Sequence, residues 1–189
     1  MTDLEPSVFP PDFDWTLYEQ GGLVVSNFVV SDGGMTIDSH GSSRGISNEL
    51  DRHVLKRLRS VHSAVLVGGQ TARVENYTPS TRYETYVLTR NQESLPTGLN
   101  VIQAGSSADL KDKIQIIASH HGGLLVEAGP SLLKVLSELR LIDRVFLTLV
   151  KSSLDPEVVA RQKLGLIGFE LVLSQTVQDT RFTVLDSLL

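Results

Sequence analysis

The chain has 189 residues, 41% hydrophobic and 21% charged, the composition of one ordinary globular domain with length enough for a sizeable core. A formal net charge of −5 argues against a general nucleic-acid binder, and the lack of cysteine removes disulfides, thiolate nucleophiles and zinc–thiolate sites. The N-terminus has neither the basic start nor the apolar core of a signal peptide, and no apolar stretch is long enough for a bilayer. A cytoplasmic protein without membrane or nucleic-acid partners is expected.

Residues 1–20 hold three prolines and the only tryptophan, Trp15, and read as an arm lying on the domain. Leu23 to Val30 is a core strand rich in β-branched residues. Ser31-Asp32-Gly33-Gly34 breaks it, Met35 to Asp38 is expected to resume an extended path, and Ser39 to Gly45 is a loop by composition. Ser47 reads as the N-cap of a helix whose Leu50, Val54, Leu55 and Leu58 form an apolar stripe. On that reading Asp51, Arg52, Lys56 and Arg57 face water, and the basic cluster that Arg59 completes is a solvated helix face.

Ala64-Val65-Leu66-Val67 then runs into Gly68-Gly69-Gln70-Thr71, an apolar strand ending in a turn where a helix can start. Tyr83 to Leu88 contains another strand, and Asn100 to Gln103 a short one. Ser107 is expected to cap a helix carrying Leu110, Ile114 and Ile117, which His120-His121-Gly122-Gly123 ends. The strand-and-small-turn design returns in Leu124-Leu125-Val126-Glu127-Ala128-Gly129-Pro130, with Pro130 placed to begin a helix. Leu132, Leu133, Leu136 and Leu139 make its stripe, and Val145 to Val150 is a strand. Residues 151–168 are loop-like. Phe169 to Val177 and Arg181 to Leu185 form a terminal antiparallel hairpin. Strands alternating with helices predict a single α/β domain over residues 1–189, its mixed sheet mostly parallel, with flanking helices and that hairpin at the end.

Two glycine turns at one end of a sheet would make a nucleotide cleft. The usual signatures are missing, however: there is no G-x-G-x-x-G, no Walker lysine and no G-x-S-x-G nucleophile elbow. His120-His121 reads as a solvated helix terminus, and His40, His53 and His62 lack metal-ligand spacing, so no metal is expected. Glu127 stands out, because a carboxylate that follows a buried strand needs a partner.

Several pieces stand in order along the chain: Asn27-Phe28-Val29-Val30-Ser31-Asp32-Gly33-Gly34, Gly41-Ser42-Ser43-Arg44-Gly45-Ile46-Ser47 and Leu58-Arg59. They continue with Leu66-Val67-Gly68-Gly69-Gln70-Thr71, Glu75-Asn76-Tyr77, Val126-Glu127-Ala128-Gly129-Pro130 and Leu141-Ile142-Asp143-Arg144-Val145. From Leu23 onward the chain thereby resembles the pyrimidine reductase domain of riboflavin biosynthesis, which has a dihydrofolate-reductase-like three-layer fold. The cytidine-deaminase-like domain often fused upstream has no counterpart here, as neither H-x-E nor P-C-x-x-C occurs.

The resemblance implies an NADPH-dependent oxidoreductase that reduces 5-amino-6-(5-phosphoribosylamino)uracil or a close analogue from ribosyl to ribityl, and a homodimer. It implies that Gly68, Thr71 and Glu75 border the cofactor and that Gly129, Pro130, Ser131, Leu132 and Leu133 hold its pyrophosphate. Thr89 and Arg90 match the adenosine end, where an arginine suits a 2′-phosphate. Ser43, Arg59 and Arg82 match substrate-side positions, the arginines as partners of a ribose 5-phosphate. Glu127 matches an acid beside the substrate, and Asp32 a catalytic aspartate. Without the resemblance, Arg59 reads equally as a last-turn cation, and Arg82 and Arg90 read as solvated turn residues. One departure is visible: Ser31-Asp32-Gly33-Gly34-Met35 shifts the family's acid by one position, with no basic residue after it. Two alternatives therefore stand, a reductase of another pyrimidine or pterin and a nucleotide-binding protein that has lost catalysis.

Overall fold

The computed structural model describes residues 8–188. Eight strands form one sheet: β1 (Val24–Val30), β2 (Ala64–Gly68), β3 (Glu84–Leu88), β4 (Asn100–Ile102), β5 (Leu124–Glu127), β6 (Arg144–Val150), β7 (Phe169–Val177) and β8 (Thr180–Ser187). Their order across the sheet is β4-β3-β2-β5-β1-β6-β8-β7. The first six strands of that order run parallel, while β8 and β7 are antiparallel additions beside β6. Parallel strands are covered on both faces, which is why β2, β5 and β6 read as nearly unbroken apolar runs. The fold is dihydrofolate-reductase-like.

Alternation along each strand divides the core in two. Ala64, Leu66, Phe28 and Val30 pack toward α3 (Ser107–His121) and α4 (Pro130–Glu138). Val65, Val67, Val25, Leu125 and Phe146 pack on the other face, against α1 (Glu49–Val61) and the short α2 (Gly69–Val74). Leu50, Val54 and Leu58 seat α1, and each such burial contributes about 1.5–3 kcal/mol. The arm, from residue 8 on, joins this second layer. Phe9, Phe13 and Tyr18 are buried, and Phe9 and Phe13 meet Phe182 of β8. Arg144 ties arm to sheet by donating to both carboxylate oxygens of Asp186 at 2.6 and 2.7 Å and to Leu17 O at 3.0 Å. The first seven residues of the expected arm lie outside the described residues, as does Leu189.

Several local expectations are corrected. Asn48, not Ser47, caps α1, its side chain accepting from the Asp51 amide at 2.9 Å. Ser106 rather than Ser107 caps α3, and Gly122 ends it in the left-handed conformation at φ 65°. Met35 to Asp38 does not resume a strand, because Asp38 folds the segment by accepting from the amides of His40 and Ser42. Residues 151–168 include α5 (Pro156–Val158), capped by Asp155 and continued by a wider turn, Val159–Lys163. His121 is not solvated: its ring meets Tyr86 Oη at 2.9 Å. Asp51 does not face water either, being only 3% exposed, because a cavity rather than solvent opens on that side of α1.

Candidate active site

The face of the sheet toward α1 is apolar at one level and polar two residues further along three adjacent strands. Val25 is followed by Asn27 on β1, Leu125 by Glu127 on β5, and Phe146 by Thr148 on β6. Ser26 pairs with Val126, which sets Asn27 level with Glu127, whereas Asn27 pairs with Phe146 and Thr148 lies two residues further on, level with Val29. All three polar residues lie toward the carboxyl ends of parallel strands, where open α/β sheets bind ligands. A cavity of about 560 Å³ opens there, with Asn27, Asp51, Leu55, Arg59, Tyr77 and Glu127 among its walls.

Two polar groups occupy this cavity. In the first, Arg59 Nε donates to Glu127 Oε1 at 2.6 Å and Nη2 to Oε2 at 2.5 Å, a bidentate fork. The Tyr77 hydroxyl also donates to Glu127 Oε2, and Arg59 stands over the rings of Tyr77 and Tyr83. Burial works against the Arg59 charge, but Glu127 outweighs it and holds the guanidinium protonated above its usual range. Burial, reinforced by the Glu127 charge, likewise pushes the Tyr77 hydroxyl well above its usual range, so Tyr77 keeps its proton. Glu127 thus organises its neighbours.

The second group is Asp51, Asn27 and Ser47. The Ser47 hydroxyl donates to Asp51 Oδ2 at 2.7 Å, while Asp51 Oδ1 and Asn27 Oδ1 are buried without a hydrogen-bond partner. Burial raises the Asp51 carboxyl above its ordinary value, against smaller opposing effects from Ser47, Thr148 and Arg52. A carboxyl raised in this way is suited to giving up a proton inside a site.

The two glycine turns adjoin this cavity. β2 and β5 are neighbours, and a Cβ built on Gly68 would lie 3.7 Å from Leu132 Cδ2. One built on Gly69 would lie 2.5 Å from Thr89 Oγ1, so only glycine lets α2 start this close to the end of β3. At Gly129 the same construction meets nothing within 4 Å, leaving open space at the start of α4. Backbone amides at a helix start favour an anionic group. Glu75 accepts from Ser43 N and Oγ and from Ser42 Oγ at 2.9–3.2 Å, which holds the Ser42–Arg44 loop against the end of α2.

Of the expected site residues, Ser43, Arg59, Thr71, Glu75, Glu127 and Gly129 line the cavity. Gly68, Pro130, Ser131 and Leu132 adjoin it through the two turns, whereas the Leu133 side chain is fully buried in the core. The amides of Leu132 and Leu133 both donate to Gly129 O at 3.1 Å. Thr89 and Arg90 sit beyond Gly69 at the end of β3, Arg90 exposed. The structure does not bring Asp32 or Arg82 to the cavity. Asp32 is exposed and accepts from the Gly33 amide at 2.9 Å, and Arg82 is exposed in the loop before β3. Asn27, Ser47 and Asp51 are not among the site residues expected from sequence, where Ser47 reads as a helix cap and Asp51 as solvated. An asparagine inside a β-branched strand was the available signal for the first of them.

Sheet order and cleft together define a protein of the dihydrofolate-reductase-like class. The RibD C-terminal domain family matches residues 23–151, and the chain belongs to that family. No curated protein matches by sequence. Among solved structures, the chain is similar to a pyrimidine reductase-like protein of Corynebacterium diphtheriae, with TM-score 0.67, 19% identity, and 93% of this chain and 95% of that one covered. It is also similar to a diaminohydroxyphosphoribosylaminopyrimidine deaminase/5-amino-6-(5-phosphoribosylamino)uracil reductase of Thermotoga maritima. That match has TM-score 0.62 and 18% identity, and covers 88% of this chain and 57% of the other. Dihydrofolate reductase of Enterococcus faecalis, complexed with NADP(H), gives TM-score 0.62 at 14% identity, with 88% and 96% covered.

Proposed function

We propose that the protein is an NADPH-dependent reductase of riboflavin biosynthesis, converting the ribosyl group of 5-amino-6-(5-phosphoribosylamino)uracil or a close analogue to ribityl. The observation that carries this reading is the polar cavity built from Asn27, Asp51, Arg59 and Glu127 directly beside the paired glycine turns. Family membership supports the reaction class, and the NADP(H) bound to the Enterococcus relative supports the cofactor.

The open-chain form of the substrate presents a C=N bond. When bound, NADPH supplies a hydride to the carbon of that bond. Asp51, whose buried carboxyl retains its proton more readily than an exposed one, delivers a proton to the nitrogen, completing the secondary amine. Ser47 orients Asp51 through the 2.7 Å hydrogen bond, and Asn27 offers its amide to polar edges of the pyrimidine. Glu127 fixes Arg59 and Tyr77 as one wall, aligning the substrate. Gly68, Thr71 and Gly129 would border the cofactor and the start of α4 its pyrophosphate, with Thr89 and Arg90 toward the adenosine end. The exposed place of Asp32 favours a second reading, the same chemistry on a related pyrimidine or a pterin.

The test is NADPH oxidation, followed at its absorbance band, with the phosphoribosylamino-pyrimidine as substrate and the ribitylamine identified as product. NADPH binding without oxidation would support a binding protein that has lost catalysis. Failure to bind any dinucleotide would sink the reading altogether.

A further inference from the structure

The guanidinium of Arg59 is only partly occupied. Its Nε and Nη2 donate to the two oxygens of Glu127, and Nη2 also donates to Tyr77 Oη at 3.2 Å. Among the described residues Nη1 has no hydrogen-bond or ion-pair partner. The Arg59 side chain lines the cavity and is 28% exposed, against 7% for Glu127. One edge of a planar cation is thus fixed to a buried carboxylate, and the remaining nitrogen is left for a ligand.

Two tyrosines from other segments hold that guanidinium in place. Arg59 Cζ stands 5.8 Å from the ring centre of Tyr77 and 5.9 Å from that of Tyr83, within the range at which a ring face attracts a cation. Tyr77 adds its hydroxyl, which accepts from Arg59 Nη2 and donates to Glu127 Oε2, so that the three side chains close one hydrogen-bonded ring. The chain brings Tyr77 there by a tight turn after α2. Asn76 takes the left-handed conformation at φ 49°, which asparagine tolerates better than most residues, and the Tyr77 amide donates to Ala72 O at 3.0 Å. Tyr83 comes from the residue before β3. Both rings also abut the core on the α1 side. Packing accounts for an aromatic ring at each position, but not for the hydroxyl of Tyr77 inside the fork or for a guanidinium over both rings. A long side chain that would otherwise sample several rotamers is therefore ordered before a ligand arrives.

We propose that Tyr77 and Tyr83 are positioning residues that hold Arg59 with Nη1 presented to the phosphate of a phosphorylated substrate, and so set its preference over the dephosphorylated form. The proposal deepens the reductase reading and rests on it for the identity of the substrate. Glu127 balances the Arg59 charge, so net charge alone gives this pair little pull on an anion. What discriminates is a charge-assisted donor already oriented, and that orientation is what the two tyrosines supply.

The probe is ribose 5-phosphate, with ribose as its uncharged counterpart and titration calorimetry as the readout. Wild-type protein should bind ribose 5-phosphate and discriminate against ribose. Tyr83→Leu, which keeps bulk but removes the ring face, should weaken ribose 5-phosphate about 10-fold. Tyr83→Phe, which restores the ring, should restore the affinity. Tyr77→Phe, which keeps the ring and removes only the hydroxyl, should weaken it about 5- to 10-fold. Circular dichroism should report an intact fold in all three. In turnover, kcat/KM for the phosphorylated substrate should fall by the same factors in Tyr83→Leu and Tyr77→Phe, through KM rather than kcat, while the value for the dephosphorylated substrate falls about 3-fold at most. Wild-type affinity in both Tyr83→Leu and Tyr77→Phe would overturn the proposal, as would failure of wild type to bind ribose 5-phosphate. Equal losses for the phosphorylated and dephosphorylated substrates would also overturn it, by reducing the tyrosines to packing. A protein that binds ribose 5-phosphate in this tyrosine-dependent way but never oxidises NADPH keeps the proposal and sinks the reductase reading instead.

Discussion

Arg59 and Glu127 lie 68 positions apart in the chain, yet meet through two hydrogen bonds of 2.6 and 2.5 Å across the cavity wall. The pair joins the last turn of α1 to the end of β5, with Tyr77 as third member. Glu127 therefore acts by holding its neighbours in place. Glu127→Gln keeps the shape but leaves Arg59 with one neutral acceptor, at a cost of about 1–3 kcal/mol. That corresponds to a Tm lower by roughly 2–12 °C. NADPH affinity should survive, while kcat/KM falls about 100-fold through lost alignment. Affinity, melting and turnover measured on one preparation separate the outcomes, and unchanged turnover per folded molecule would remove Glu127 from the site.

Asp51 should govern both pH dependence and proton delivery. Its folded-state pKa is raised above the ordinary 3.8 by burial. The stability linked to its protonated form is thus fully present below the unfolded value and lost as pH rises through the folded one. Asp51→Asn has no such loss, so its Tm relative to wild type should climb between acid and neutral pH. Turnover should fall about 10²- to 10⁴-fold, the range for a lost general acid. A pH-independent Tm difference between the two proteins would count against the buried-acid assignment.

At Gly69 the backbone touches Thr89. A methyl group there would meet Thr89 Oγ1 at 2.5 Å and Thr89 Cβ at 2.7 Å. Gly69→Ala should destabilise by about 1–3 kcal/mol as overpacking and displace the end of β3. Chemical denaturation would register this as a lower midpoint at unchanged slope. An alanine variant as stable as wild type would show that the contact between α2 and β3 yields easily.

Arg90 stands exposed beyond that contact. If it reads a 2′-phosphate, Arg90→Ala should weaken NADPH about 10-fold or more and leave NADH nearly unchanged. Titrations with both dinucleotides decide the matter, equal weakening being the adverse result.

The sheet ends on β7, an edge strand with Val172 exposed at its surface. Exposed sheet edges are usually covered, and a homodimer is expected here. Light scattering at micromolar protein should return twice the mass of one chain. A monomer mass would argue against it.

Much of the fold was legible because parallel strands leave plain marks. Ala64 to Val67 and Leu124 to Val126 are apolar on both faces, and each runs into a small-residue turn. Glu127 was legible for the same reason, as a carboxylate at the end of a buried strand. Asp51 was not, since helical periodicity distinguishes an apolar stripe from everything else and cannot tell solvent from a cavity. Arg59 showed its place but not its partner, which depends on a strand far along the chain. The Met35–Asp38 error had a local cause: Asp38 accepts backbone hydrogen bonds that turn the chain, a competition invisible to strand propensity.

β1 lies between β5 and β6, its two partners in the sheet. A ribosome therefore releases Asn27 about a hundred residues before the strands that will flank it, and Asp51 well before Glu127. Such long-range pairing slows folding, because distant segments must be brought together before contacts reward them. The cavity between these strands and α1 has no early, partial version. Refolding followed by Trp15 fluorescence, which reports the arm packed on Phe9 and Phe13, should recover no faster than the capacity to bind ligand is restored.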